Sequence, residues 1–145
     1  MSISGTWYNE LGSQLVINYP GGTQFSGSYT TAVGHAEGQY TVIGQIDPNP
    51  AAGCGQALGW VVQWINSSGN SNSTTTWSGQ YIVSGSAEII VALWVLTSET
   101  PPSEFWAATT VGEDVFFRQQ PSSEDVAKKL QTKRPSHPVQ RTRPQ

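Results

Sequence analysis

Short runs of alternating apolar and polar residues, separated by turn-forming residues, occupy most of the chain. Turn signals recur at nearly regular intervals, as in the Asn-Tyr-Pro-Gly-Gly segment at 18–22 and the Asp-Pro-Asn-Pro segment at 47–50. Such spacing is typical of an all-β meander that forms either a sandwich or a barrel. Eight strands are also the number that closes into a barrel wide enough for one small ligand. The pattern predicts strands at 5–11, 14–18, 24–31, 38–46, 56–65, 73–83, 87–97 and 105–118.

The pattern changes after residue 118. The segment SSEDVAKKL at 122–130 has a capping serine, acidic residues at its start and lysines near its end, which predicts a short helix at 123–130. Beyond it, residues 132–145 offer almost nothing apolar to bury and are expected to form a disordered basic tail. We therefore divide the chain into a β domain at 1–118 and a C-terminal extension at 119–145.

One face of the predicted strands mixes tryptophans with polar groups. Because alternate residues of a strand point to opposite sides, Trp7 shares a face with Asn9, and Trp77 shares one with Ser73 and Thr75. A buried polar group without a partner costs about 1–3 kcal/mol. This face therefore indicates a cavity whose polar groups meet a ligand or water, or else a solid core in which they satisfy one another.

The seventh predicted strand is apolar on both faces. Ile90, Ala92, Trp94 and Leu96 share one face, and the run at 89–95 places further aliphatic residues on the other. In a closed barrel one of these faces would meet water, so the strand predicts cover by another subunit.

Charge and composition exclude several classes of protein. Charged residues make up only 12% of the chain, and all seven Lys and Arg residues lie after residue 117, which argues against binding of nucleic acid by the β domain. An anionic group on a ligand would have to be met there by hydroxyls and backbone amides. The sequence contains no run of 18 apolar residues, so it predicts no membrane-spanning helix. The lone Cys54 excludes an intrachain disulfide and a cysteine-rich metal cage.

The sequence shows neither a catalytic motif nor a targeting signal. The two histidines form no cluster, no nucleophile–base pair is apparent, and Glu113-Asp114 is interpreted as a loop charge beside a binding residue. We therefore expect a protein that is not an enzyme and that needs no cofactor or metal. No basic start or apolar stretch precedes Gly5, so a cytoplasmic location is expected, or a secreted one if a leader was removed.

Six segments, in order and with compatible spacing, resemble those of a known family. They are GTWYNELGS at 5–13, YTTAVGHAE at 29–37, ALGWVVQW at 57–64, TTWSGQ at 75–80, WVLTS at 94–98 and WAATTVGED at 106–114. Together they cover nearly all of residues 5–118 and resemble the avidin–streptavidin family of biotin-binding proteins. The resemblance implies an eight-stranded antiparallel up-and-down barrel, usually a homotetramer, with biotin at one open end.

The resemblance also implies which residues contact biotin. Asn9, Ser13 and Tyr29 match the groups that hydrogen-bond the ureido oxygen, while Asp114 and Thr31 match the acceptors of the two ureido N–H groups. The remaining matches are Thr75 facing the ring sulfur, Ser73 near the valerate carboxylate, Trp64, Trp77 and Trp94 boxing the bicyclic ring, Trp106 capping a neighbouring subunit's ligand, and His35 beside the carboxylate. Residues 31–38 match a mobile loop over the site.

Four positions depart from the closest family pattern. His35 stands where related loops carry Asn, Thr31 replaces a Ser, and Leu93 and Glu113 differ at the expected subunit contacts. These departures concern loop closure, ligand selectivity and the strength of the interface. The alternative function is a lipocalin-like carrier of another small apolar ligand, although a fatty-acid cavity would not need the polar residues on the inner face.

Overall fold

The computed structural model describes residues 2–32, 38–65 and 72–131. Its strands are β1 (Gly5–Asn9), β2 (Gln14–Asn18), β3 (Gln24–Thr30), β4 (Gln39–Ile46), β5 (Gln56–Trp64), β6 (Ser73–Ser84), β7 (Ala87–Ser98) and β8 (Thr109–Phe117). Each strand pairs antiparallel with the next, and β8 returns to β1, so the sheet is a closed barrel. This confirms the predicted fold class and decides between the barrel and the sandwich.

Two predicted strands differ from the observed strands by more than one residue. The first was expected to reach residue 11 but ends at Asn9, because the Asn9 side chain accepts hydrogen bonds from backbone N–H groups of the following turn. The eighth was expected to begin at residue 105, and this is wrong: a 3₁₀ helix spans Pro102–Ala107 and β8 begins at Thr109. The Pro101-Pro102 pair explains the difference, since proline fixes φ near the helical value and removes a donor that a strand ladder needs.

The predicted C-terminal helix is confirmed as α1 (Ser123–Leu130). The Ser122 hydroxyl caps it by accepting from the Asp125 backbone N–H at 3.1 Å. Among the described residues, no helix has the length and apolar character needed to cross a membrane. The expected disordered tail lies outside the described residues.

Arg118, which directly follows β8, links the N-terminal segment to the barrel near the start of β1. The Arg118 guanidinium lies 3.8 Å from the centre of the Trp7 ring and 3.1 Å from the Glu88 carboxylate. It also donates to the backbone carbonyls of Ser2 at 2.7 Å and Ser4 at 2.9 Å. Hydrogen bonds from Arg118 and from a tyrosine lower the pKa of Glu88. The first cation of the sequence thus links the N-terminal segment, β7 and the residue after β8.

The two faces of β7 separate as the sequence indicates. Its inward residues from Ile90 to Leu96 are buried, whereas its outward residues are exposed. Together with the outward valines of β8 they form an outer apolar patch, which consists of Val91, Leu93, Val95, Val111 and Val115 and which surrounds one charged residue, Glu113, directly opposite Leu93. Leu93 is 65% exposed and Val111 is 70% exposed within the single chain. A surface of this kind marks a place where another molecule packs.

Candidate functional site

The predicted polar residues converge inside the barrel. Asn9, Ser13, Tyr29, Thr75 and Asp114 come from β1, the turn after it, β3, β6 and β8, and each is at most 1% exposed. These elements bring together side chains that are up to 105 residues apart in the sequence. The inward face of the strands is therefore a polar constellation within an aromatic core.

The turn at residues 9–13 fixes two of these groups. The Asn9 side-chain oxygen accepts from the backbone N–H groups of Leu11 at 3.1 Å and Ser13 at 2.9 Å. The Asn9 backbone carbonyl accepts from Gly12 N–H at 3.0 Å, and Gly12 has a φ of +87°, which a glycine adopts without strain. Because the amide oxygen is held by the turn, the Asn9 NH₂ group faces the barrel interior.

Among the described residues, that NH₂ group makes only long hydrogen bonds. It donates to the Tyr29 hydroxyl at 3.5 Å and to an Asp114 carboxylate oxygen at 3.4 Å. Both distances lie beyond the usual range for N–H···O bonds, so these contacts are weak. The Ser13 hydroxyl accepts from the backbone N–H of Ala32 at 3.0 Å and also makes a side-chain hydrogen bond with Tyr29. The three predicted donors therefore lie together in one cluster, in which the hydrogen bonds of Asn9 are long.

Asp114 is the acidic group of the site. Its second carboxylate oxygen accepts from the Trp77 indole N–H at 2.8 Å. Burial raises the pKa of Asp114 well above its ordinary value, opposed by the hydrogen bond from Trp77, while the nearby charge of Glu10 raises that pKa further. Burial also raises the pKa of Tyr29 well above its ordinary value, and the Asp114 charge adds to this effect. Tyr29 therefore stays protonated and can donate at neutral pH.

Three tryptophans form the walls of the site. Trp64, Trp77 and Trp94 are at most 2% exposed, and the Trp64 and Trp77 rings meet edge to face with centres 6.4 Å apart. The Trp64 indole donates to the Thr75 hydroxyl at 2.8 Å. Opposite Trp94 on β8 stands Gly112, where a Cβ atom would lie 2.3 Å from the Trp94 ring. A residue without a side chain is thus required for the indole to occupy its place.

Polar atoms without a partner mark the same interior. Ser73 and Ser98 are paired across β6 and β7 and are 3% and 4% exposed, and neither hydroxyl has a hydrogen-bond partner in the part of the chain that the structure describes. Within the same part, the indole N–H groups of Trp60 and Trp94 are also buried and unpaired. The sequence analysis missed Ser98, although the alternation that places Leu96 inward also places residue 98 inward. Unpaired buried groups are costly, and a ligand or water would satisfy them.

The remaining predicted residues lie elsewhere or outside the described chain. Trp106 lies on the 3₁₀ helix and is 77% exposed, so it does not lie in the interior of its own barrel. Thr31 follows β3, is half-buried and makes a contact of its own. His35 and most of the loop at 31–38 lie outside the described residues, and the proposed carboxylate contact stays a prediction. In the described ranges no group of three or more His, Cys, Asp and Glu residues could hold a metal ion.

Comparison with known proteins agrees with this geometry. The family described as "Avidin family" matches residues 1–119. The chain belongs to the avidin family. It is 30% identical to avidin of Gallus gallus over 128 residues, covering 81% of this chain and 78% of avidin. It is 31% identical to avidin-related protein 4/5 of Gallus gallus, with coverage of 81% and 77%. Identity to afifavidin of Afifella pfennigii is 34%, over 66% of this chain and 57% of afifavidin.

Membership of the avidin family confirms several expectations. Avidin-family proteins are non-enzymatic, bind biotin without a cofactor and typically form oligomers. The predicted resemblance and the prediction that the chain is not an enzyme are therefore confirmed. The match ends at residue 119, so α1 lies beyond the segment that the family defines.

Proposed function

We propose that this chain binds biotin with high affinity inside the barrel, one molecule per chain. The observation that carries the proposal is the buried set of donors on Asn9, Ser13 and Tyr29, with the carboxylate of Asp114 beside them. A ureido group offers one strong acceptor oxygen and two N–H donors. Three donors on that oxygen and a carboxylate on an N–H would polarise the group in the same direction, and such charge-assisted bonds are strong.

The bicyclic ring and the carboxylate of biotin also suit the residues around them. The bicyclic ring of biotin is apolar, which suits walls formed by Trp64, Trp77 and Trp94. Its carboxylate would meet hydroxyls such as that of Ser73, in keeping with a β domain that has no Lys or Arg before residue 118.

A lipocalin-like carrier of another apolar ligand is the alternative function. Such a ligand would leave the polar groups of Asn9, Ser13 and Tyr29 facing an aliphatic chain. Each unsatisfied group would cost about 1–3 kcal/mol. The interior therefore favours a ligand with a compact polar head over a fatty acid.

The finer proposal is a homotetramer in which Trp106 closes the site of a neighbouring subunit. Trp106 is an exposed indole on a 3₁₀ helix that precedes β8. The outer apolar patch supplies a surface that another subunit would cover. An exposed indole is typical of a residue that becomes buried on assembly.

Titration calorimetry of the ligand-free, folded chain with biotin tests the binding proposal. We expect about one biotin per chain, and octanoic acid is the matched control because it has a carboxylate and an apolar chain but no ureido group. Absence of heat with biotin would refute the proposal, and saturable binding of octanoic acid alone would establish the carrier instead.

A further inference from the structure

Helix α1 packs against the turn that carries two of the proposed biotin contacts. Pro121 Cγ and Val126 Cγ2 lie 3.9 and 4.0 Å from the position that a Cβ on Gly12 would occupy. Lys129 Nζ lies 3.0 Å from the carboxylate of Glu10. Glu10 and Gly12 belong to the same turn as Asn9 and Ser13, whose backbone hydrogen bonds define it. The helix therefore touches the turn from outside the barrel while the turn presents its side chains inside.

The partly buried residues of the extension are the ones that face the turn at residues 9–13. Pro121, Val126 and Lys129 are the only half-buried residues in the described part of the extension from 121 onward, and the others there are exposed. An isolated helix of eight residues is marginal in water, so contacts with the barrel must hold α1 in place. Every contact identified above reaches the turn at residues 9–13. The neighbouring Lys128 instead pairs with Glu124 at 3.5 Å along the exposed side of the helix.

We propose that α1 is a positioning element of the ligand site, in which Lys129 pairs with Glu10 and holds the turn that orients Asn9 and Ser13. The proposal rests on the proposed function where it concerns biotin. It deepens that function by assigning a role to a segment outside the family match.

The charges of Glu10 and Lys129 also influence the site, through the pKa of Asp114. Glu10 raises the pKa of Asp114, whereas Lys129 lowers it, so the cation offsets an acidic neighbour of the buried carboxylate. Loss of Lys129 would leave Glu10 uncompensated and loosen the turn. Both effects would weaken the bonds to a ureido group without removing any group that touches it.

A charge-reversal series on the full chain tests the inference. Lys129→Glu should speed biotin dissociation by about two- to tenfold, given the modest strength of a partly exposed ion pair. Lys128→Glu is the matched control, because it makes the same change one residue away on the exposed side, and its dissociation rate should equal that of the wild type. The double exchange Glu10→Lys with Lys129→Glu should restore most of the wild-type rate.

A second measurement separates this inference from the proposed function. In the ligand-free protein, the side-chain amide resonances of Asn9 should shift in Lys129→Glu, return toward their original positions in the double exchange, and stay in place in Lys128→Glu. Equal dissociation rates and equal Asn9 resonances in the two single variants would overturn the role of α1. A wild-type chain that fails to bind biotin would refute the proposed function, while the Asn9 resonances would still decide the inference. If Lys129→Glu lost its β-sheet circular dichroism, Lys129→Gln would take its place in both measurements.

Discussion

Asp114→Asn replaces the buried carboxylate of the site with an amide of nearly the same shape. The carboxylate accepts from Trp77 at 2.8 Å and from Asn9 at 3.4 Å. An amide oxygen can keep the stronger of these bonds, but the new NH₂ group would face that of Asn9. The exchange therefore removes one weak contact and the buried negative charge, and it leaves the packing intact.

The expected effect on biotin binding follows from the loss of a charged partner. A hydrogen bond to a charged group contributes about 1.5–3 kcal/mol, which corresponds to roughly 10- to 150-fold. We therefore expect biotin to dissociate about 10- to 150-fold faster from Asp114→Asn, as measured by displacement of labelled biotin. Asp47→Asn is the control, because it makes the same chemical change at an exposed turn position whose contact to Asn49 the amide oxygen can keep.

The effect on stability should have the opposite sign. Burial raises the pKa of Asp114 in the folded chain, so the folded state holds this proton over a pH range in which the unfolded state has lost it. The stability due to protonated Asp114 is present below its unfolded pKa of about 3.9 and is lost as pH rises through the raised folded pKa. The ligand-free Asp114→Asn variant should therefore have a Tm at pH 7 that equals or exceeds that of the wild type.

The same ionisation gives a pH signature for binding. If the ionised carboxylate accepts from biotin, wild-type affinity should rise with pH across that window, and Asp114→Asn should lose this dependence. The groups whose charges act on Asp114 are Glu10 and Lys129, and Tyr29 stays protonated because its pKa is raised. A variant that lost affinity and Tm together, with an unchanged pH profile, would show that Asp114 is only a structural residue.

Three further predictions concern the assembly, the wall of the site and the contacts of Arg118. Leu93→Glu places a second carboxylate beside Glu113 within the outer apolar patch, so light scattering should report fewer than four chains per particle, and an intact tetramer would refute the assignment of the interface. Gly112→Ala places a Cβ 2.3 Å from the Trp94 ring, so we expect the free energy of unfolding in urea to fall by about 1–3 kcal/mol. An unchanged urea midpoint would contradict this. Arg118→Gln should remove stability at pH 7 and lessen its loss on acidification, because Arg118 lowers the pKa of Glu88; equal acid-unfolding curves would contradict this.

Strand alternation carried most of what the sequence predicted about the fold. It separated the two faces of β7 and placed Trp7 and Asn9 on one face correctly, because burial on a sheet follows a period of two. The periodicity did not decide between barrel and sandwich, since both place alternate residues inward. The start of β8 was wrong because the apolar residues after Pro102 fit a strand pattern, although the proline pair favours a helical turn.

The candidate site was predictable in its residues but only partly in its geometry. Alternation and the resemblance placed Asn9 and Asp114 inside, but neither gives the height of a residue along the barrel. The contact between Asn9 and Asp114 depends on how β1 and β8 are staggered at closure, which the chain fixes only in three dimensions. Ser98 was missed because a serine at a strand end is usually exposed, and the contact of α1 with the turn has no sequence signal.

A site that binds a urea group has to keep its donors and its acceptor from satisfying each other. The Asn9 amide lies 3.4 Å from the Asp114 carboxylate, and the hydroxyls of Ser73 and Ser98 have no hydrogen-bond partner among the described residues. Shorter internal bonds would stabilise the empty barrel, but a ligand would then have to break them before binding. A contact outside the barrel avoids this conflict, because it restrains the turn without using any polar atom of the interior. On the proposal made above, the pair between Lys129 and Glu10 has this property, and it lies in the segment beyond residue 119 that the family match leaves out.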